Sequence, residues 1–559
     1  MASHDASDRD PDKREIISHA TPQETEYRDS APVEVNIEVS TKPPETGNEI
    51  TTIIERTPTN DRPYSSFTSR QKAAIVLVAT LGGSFSPFST FIYFPAIDTI
   101  SHALGVSVSD VNLTITTYMI FQGISPSFTS AIADDFGRRP AYMIGFLIYL
   151  GANLGLALNK SYAGLLVLRC LQSAGRSGLV TLVQGTIADI VTSAERGKYI
   201  AITSLAGILA PSLAPIIGGV LAQHLGWHSV FWFLLILGGV YAVPLAIFFP
   251  ETCRSVVGDG SIEPPKWNRC LTNLSRQKKT PDDEHGSKQG TDLKDKSEKE
   301  KAVPRQRKWD VLGSLTIVSD PETAILLLYM GVVYAGFYVV STSLTVQFHN
   351  IYGLSSSLQG LLFLPQVVGT ILATITNTRI LDRNFKRHAL KAGLEVDRKK
   401  QGDLIKMPIE RARLEIAMPF FAFGAVFVII YGWLLERRVN IAGPVVMLGA
   451  IGYTTMVGFS AISVLIIDLH RKRAATASAA ANLVRCLLGA GASAVTNPMI
   501  EAMGNGWTLT LVGLVELATL PLLVVMIKFG INMRAKRREK EERRMREDEE
   551  REKERAQNV

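Results

Sequence analysis

The chain has 559 residues, of which 46% are hydrophobic and 20% charged, a balance too apolar for a disordered protein and too unevenly spread for an ordinary globular one. Its net charge of +7 is confined to alternate connections between apolar runs, a distribution that argues against a nucleic-acid surface. The four cysteines give no disulfide framework, and no HExxH, phosphate-cradling glycine loop or His/Cys cluster with metal spacing points to an enzyme, a metal or a cofactor.

Residues 1–70 mix Asp, Glu, Pro, Thr and Ser with few aromatics, which predicts a disordered tail. No cleavable signal peptide is visible in them. Twelve apolar runs follow, beginning near Gln71, Val111, Ala141, Ala163, Lys198, His228, Pro321, Ser357, Leu414, Ile441, Ala474 and Trp507, here termed spans one to twelve. Each is about 20 residues or longer, the length a helix needs to cross roughly 30 Å of hydrocarbon. Only helices and closed barrels satisfy their backbone in lipid, so the expectation is an all-α membrane protein in the bilayer. Residues 71–250 form a first six-helix half, 251–320 a lysine-rich loop and 321–531 a second half. The tail, 532–559, alternates acids and bases at helical spacing, as a solvated helix does. One set of connections carries only Lys160, Arg437 and Arg438, while the other holds Arg138, Arg139, Arg196, Lys198, the stretch 383–406 and Arg471 to Arg473. The positive-inside rule then puts both termini in the cytosol.

Between spans two and three runs Ala133-Asp134-Asp135-Phe136-Gly137-Arg138-Arg139-Pro140. Gly137 supplies the positive φ of a tight reversal, and Pro140 suits the first turn of the next helix. Asp134, at a helix C-terminus, faces the negative end of the dipole and needs a cationic or N-terminal partner. This stretch resembles the Asp-x-x-Gly-Arg-Arg pattern of the major facilitator superfamily, with Ser130 and Asp135 as departures. The resemblance implies twelve helices in two pseudo-symmetric halves, and a conformational latch at Asp134, Gly137, Arg138 and Arg139; a loop obeying topology alone is the alternative. Asp382-Arg383-Asn384-Phe385-Lys386-Arg387 is its degenerate echo in the second half, with Phe385 in place of the glycine.

An arginine at mid-membrane costs about 2.5–3.5 kcal/mol on insertion scales and calls for a reason. Span four holds Leu168-Arg169-Cys170-Leu171-Gln172-Ser173-Ala174-Gly175, which looks like the superfamily's fourth-span motif with Ser173 replacing a glycine. The resemblance implies that Arg169 faces a central cavity and takes part in proton coupling, with Gln172 on the same helical face; a purely structural arginine is the alternative. Span five carries Gly207, Pro211, Pro215, Gly218 and Gly219 at spacings that make one narrow face. This is similar to the motif of drug:proton antiporters, against the alternative of a kinked packing helix. The run Ala479 to Ala492 in span eleven and Phe91-Ile92-Tyr93-Phe94-Pro95-Ala96 resemble the fungal quinidine-resistance branch of those antiporters.

Glu516 in span twelve is the only carboxylate read as deep in a span; it is either a proton site or the buried partner of Arg485. Tyr118, Gln122, Tyr334, Tyr338, Gln347, Gln366 and Tyr453 are candidate pocket walls suited to bulky, apolar or weakly cationic molecules. The expectation is a monomeric, plasma-membrane exporter of small organic compounds in exchange for protons, with no nucleic-acid partner. A nutrient importer and a non-transporting sensor remain alternatives.

Overall fold

A computed structural model describes residues 65–191, 196–258, 260, 262, 264–265, 268–270, 313–391, 408–470 and 474–557. Thr68 starts span one (Ser69–Phe91) with a capping box: its hydroxyl accepts from the Gln71 N–H while the Gln71 side chain accepts from its own N–H. Ser107 and Asp110 repeat the device for span two (Val108–Phe136). Spans three (Arg138–Leu158), four (Tyr162–Ser177, then Leu179–Ile190), five (Arg196–Leu225) and six (His228–Phe248) complete the first half. Span seven (Pro321–Tyr352) opens on a proline, whose missing N–H is harmless there, and stops at Gly353, φ 67°. Spans eight (Ser356–Leu361, then Phe363–Lys391), nine (Ile409–Glu436) and ten (Ala442–Leu469) follow. The helix Ala474–Thr519 is two spans joined at Gly504, whose φ of 78° and ψ of 172° break the run. Span eleven precedes it; span twelve follows and continues in the helix Pro521–Gln557.

Among the described residues, eight helical stretches are long and apolar enough to cross a membrane, and the last of them contains both span eleven and span twelve. Span two falls short because it carries Thr, Gln and Pro among its apolar residues, and span four because it is divided at Gly178 into Tyr162–Ser177 and Leu179–Ile190; in span five Leu209–Leu225 is a shorter apolar stretch. The fold is therefore all-α, with twelve transmembrane helices in two pseudo-symmetric halves. The expected tail over residues 1–70 lies outside the described residues up to 64, as do the part of the 251–320 loop from 271 to 312 and Arg471 to Arg473.

Connections after spans two, four, six, eight and ten share one face, termed basic; the others share the neutral face. The two halves meet along two seams. Span two runs against span eleven: Thr116 donates to the Ala490 carbonyl at 3.2 Å and Asn482 to the Gln122 carbonyl at 2.9 Å. Span five meets the start of span eight at the neutral face, where a Cβ on Gly219 would strike the Ser356 backbone and one on Gly360 the Pro215 carbonyl. Gly218 is in the same position against the Ile92 carbonyl of span one. Gly207, on the same helix, has nothing within 4 Å and packs against no neighbour. The Gln223 side chain accepts from the Ser357 N–H at 3.0 Å, and Phe91, Phe94, Tyr338 and Phe363 interlock with ring centroids 5.6–6.4 Å apart. The basic-face ion pairs of Arg138 with Asp134 and Asp189, of Arg413 with Asp468, of Arg534 with Glu410 and of Arg537 with Glu322 each stay within one half, whereas the contacts of span five with span eight close the neutral face.

Candidate functional site

The basic-face turn is built around a residue that the loop's own sequence does not contain. Gly137 takes φ 108° and ψ 161°, and Glu251, beyond span six, fills the space where its side chain would stand. Glu251 is 2% exposed and accepts from the backbone N–H groups of Arg138 (2.8 Å), Arg139 (3.2 Å), Thr252 (3.0 Å) and Cys253 (2.9 Å). It thereby caps span three with a carboxylate, the charge the positive end of the helix dipole favours. Bonds to a charged group contribute about 1.5–3 kcal/mol each, which offsets the several kcal/mol that burying the carboxylate costs. The Arg138 guanidinium bridges Asp134 (2.9 Å) and Asp189 at the end of span four (2.9 Å), giving Asp134 the cationic partner its position requires. Arg139 donates to the carbonyls of Ala246 and Arg269. Burial holds the nearby Cys253 thiol above its ordinary pKa, although Arg138 pulls the other way, so the thiol stays protonated.

The second half reproduces this bracing with other residues. Arg413 at the start of span nine meets Asp468 at the end of span ten (3.4 Å), as Arg138 of span three meets Asp189 of span four. Beyond span twelve, Arg534 and Arg537 reach Glu410 (3.5 Å) and Glu322 (3.2 Å), which reverses the sign of the Glu251 contact. Through Asp382–Arg387 the chain stays helical to Lys391, so the tight turn of the first half has no counterpart.

Mid-span, Arg169 is fully buried between two tyrosine rings, 4.1 Å from the Tyr93 centroid and 4.3 Å from that of Tyr118. Its Nη1 donates to Gln172 (2.6 Å), whose amide donates to Asn153 (2.8 Å); Nε and Nη2 have no protein partner. Two cation–π contacts at about 0.5–2 kcal/mol each and one charge-assisted bond at about 1.5–3 match the insertion cost quoted above, so the charge is retained without a carboxylate. Ser173, the departure from the family pattern, donates to the Tyr118 carbonyl and ties span four to span two. A second fully buried cation, Arg176, is boxed by Phe85, Phe146 and Tyr149 and donates to the Gly82 carbonyl. It braces spans one, three and four.

Across the seam, Asn482 Oδ1 accepts from Arg485 Nε (3.1 Å) and Nη2 (2.8 Å), and the guanidinium lies 5.3 Å from the Tyr334 ring and 5.7 Å from that of Phe459. Met119, next to Tyr118, and Tyr334 both abut Gly489, so Arg169 and Arg485 flank one tyrosine-lined centre. The expected Arg485–Glu516 pair is not formed. Glu516, 6% exposed, lies against Gly336, and Gly336 stands about 200° around span seven from Tyr334. Its carboxyl group is therefore behind the helix whose front Arg485 faces.

Of the remaining candidates, Tyr118, Gln122, Tyr334 and Tyr338 gather at this centre, Tyr338 4.9 Å from Tyr334. Gln347 instead accepts from Asn505 (3.1 Å) near the neutral end, Tyr453 bonds Thr376 between spans ten and eight, and Gln366 meets Gly452 of span ten through its backbone while its side-chain nitrogen is buried without a partner among the described residues. Sequence reasoning missed Glu251, Arg176, Asn153 and Asn482 as site builders. For Arg176 the signal was present, since the insertion cost applies to it as much as to Arg169.

Residues 79–494 match the model of the Major Facilitator Superfamily. The MFS-type transporter phiD of a fungal species is 45% identical over 87% of this chain and 72% of its own length. Citrate exporter 1 of Aspergillus niger is 34% identical over 86% of this chain and 90% of its own. Among solved structures, a D-xylose-proton symporter superposes with a TM-score of 0.55 at 17% identity, covering 80% of this chain and 97% of that one, which speaks for the fold alone. A chain with twelve spans, this basic-face turn and these relatives is a multi-pass membrane transporter, not an enzyme, and belongs to the Major Facilitator Superfamily.

Proposed function

We propose that the protein exports a small organic compound in exchange for protons, as a monomer in the plasma membrane with its basic face and both termini in the cytosol. The observation that carries this reading is the pairing of a neutral face closed across both halves with a central cluster drawn from spans two, four, seven and eleven. A transporter closed on one side around such a cluster is poised to receive cargo from the other side. The concentration of Lys and Arg on the basic face supports its cytosolic placement, and the printed name of the citrate exporter supports the outward direction.

In this scheme Asp134, Gly137, Arg138 and Arg139 hold one orientation of the halves. Gly207, Pro211, Pro215, Gly218 and Gly219 form the antiporter face of span five, with Gly218 and Gly219 at the seam that must open. Arg169 and Gln172 link protonation to release, and Arg485 serves the cargo side. Glu516, buried and without an ion-pair partner among the described residues, is the candidate proton carrier. The test is efflux from host cells expressing the chain, loaded with a panel of fluorescent dyes and organic acids, with and without a protonophore. Expression should lower the retention of at least one compound, and the protonophore should abolish the difference. Efflux that persists undiminished without a proton gradient refutes the coupling, and expression-dependent accumulation refutes the direction.

A further inference from the structure

The charges buried in the spans do not balance at the centre. Arg169 and Arg485 come from opposite halves, and their hydrogen-bond acceptors, Gln172 and Asn482, are both neutral. The tyrosine rings beside them favour a cation without cancelling it. Fixed acids are engaged elsewhere: Glu516 is behind span seven, Asp189 and Asp468 hold Arg138 and Arg413, and Glu322 and Glu410 hold Arg537 and Arg534. Two guanidiniums in apolar surroundings, with no fixed counter-charge beside them among the described residues, create a positive potential that attracts a mobile anion and repels a cation. Arg485 is the accessible member. It is half-buried, its Nε and Nη2 bond the Asn482 amide oxygen and the neutral Cys486 thiol lies beside it, so among the described residues no carboxylate holds its charge. Gln122 adds a side-chain oxygen with no protein partner on the facing helix.

We infer that the cargo is an organic anion bearing at least one carboxylate, taken at Arg485 against the Tyr334 ring, with Arg169 as a fixed positive charge beyond Tyr118. Planar guanidinium matches carboxylate geometry, and the ring gives the apolar body of the anion a surface to lie on. The weakly cationic cargo suggested by aromatic residues alone is disfavoured by the same charges. The inference rests on the export reading for movement of the cargo but not for its binding.

Equilibrium binding separates the two. The full chain in detergent is titrated against carboxyfluorescein by fluorescence anisotropy, with citrate and tetraphenylphosphonium as competitors. Carboxyfluorescein should bind, and citrate but not tetraphenylphosphonium should displace it. Arg485→Gln should weaken binding by roughly 30-fold or more, the loss expected when one partner of a buried charge pair is removed. Arg485→Lys, which keeps the charge and guards against a folding defect, should recover part of that loss. Displacement by tetraphenylphosphonium in preference to citrate, no anion binding, or Arg485→Gln affinity equal to the parent's overturns the assignment. Anion binding without movement of carboxyfluorescein in proteoliposomes, under a pH gradient of either sign, would refute export and leave the anion site standing.

Discussion

Gly137 has neither the backbone nor the room for a side chain. Its φ of 108° is one that L residues rarely adopt, and a methyl group there would collide with the Glu251 carboxylate and the Asn268 amide. Gly137→Ala should cost about 1–3 kcal/mol in backbone strain, and more as Glu251 is displaced from the N–H groups it caps. Thermal unfolding in detergent should show a lowered midpoint, with Gly207→Ala, at a site open on all sides, as the silent control. A parental midpoint for Gly137→Ala would show that the turn relaxes without strain. Gly137, Arg138 and Arg169 were legible in the sequence because each contradicts its surroundings: a glycine between helices, charges between apolar runs. Glu251 was not, because the N–H group it caps lies 113 residues away and nothing local marks the pairing. The Arg485–Glu516 expectation failed for a related reason. Two opposite charges scarce in the same half look like partners until the helix faces are known.

Span five shows what spacing can and cannot say about a helix. Small residues at intervals of four define a stripe, and the stripe is real at Gly218 and Gly219, which admit the backbones of spans one and eight. At Gly207 no neighbour comes within 4 Å of where a Cβ would stand, and one helix's periodicity does not reveal where a tilted neighbour diverges. The same limit placed Gln347 and Tyr453 among the pocket walls although their side chains bond Asn505 and Thr376 between helices. Gly219→Val should hold span eight away from span five, because the colliding atoms are backbone and cannot swing aside. Transport should fall while expression is unchanged, and a cysteine at Ser357 should react faster with a membrane-impermeant maleimide than in the Gly219 parent. Equal reactivity would mean that the neutral face closes without this contact.

The twelve runs and their division into two sets of six could be read from hydropathy and charge alone, because lipid allows few alternatives to a helix about 20 residues long. Which face is closed could not, since closure depends on contacts between residues more than a hundred positions apart, such as Gln223 with Ser357. Cysteines at those two positions, joined by a bis-methanethiosulfonate, should fix the closure and stop transport, and a reductant should restore it. Transport through the cross-linked protein would show that this face need not open. The reversed charge pattern behind the two halves bears on how the chain is made. Glu251 follows span six directly, so the first bundle has all its basic-face bracing before span seven leaves the ribosome. The second waits for Arg534 and Arg537, and until they are synthesised Glu322 and Glu410 lack the guanidiniums that reach them in the finished molecule. The early half can thus settle its basic face before the late one is complete.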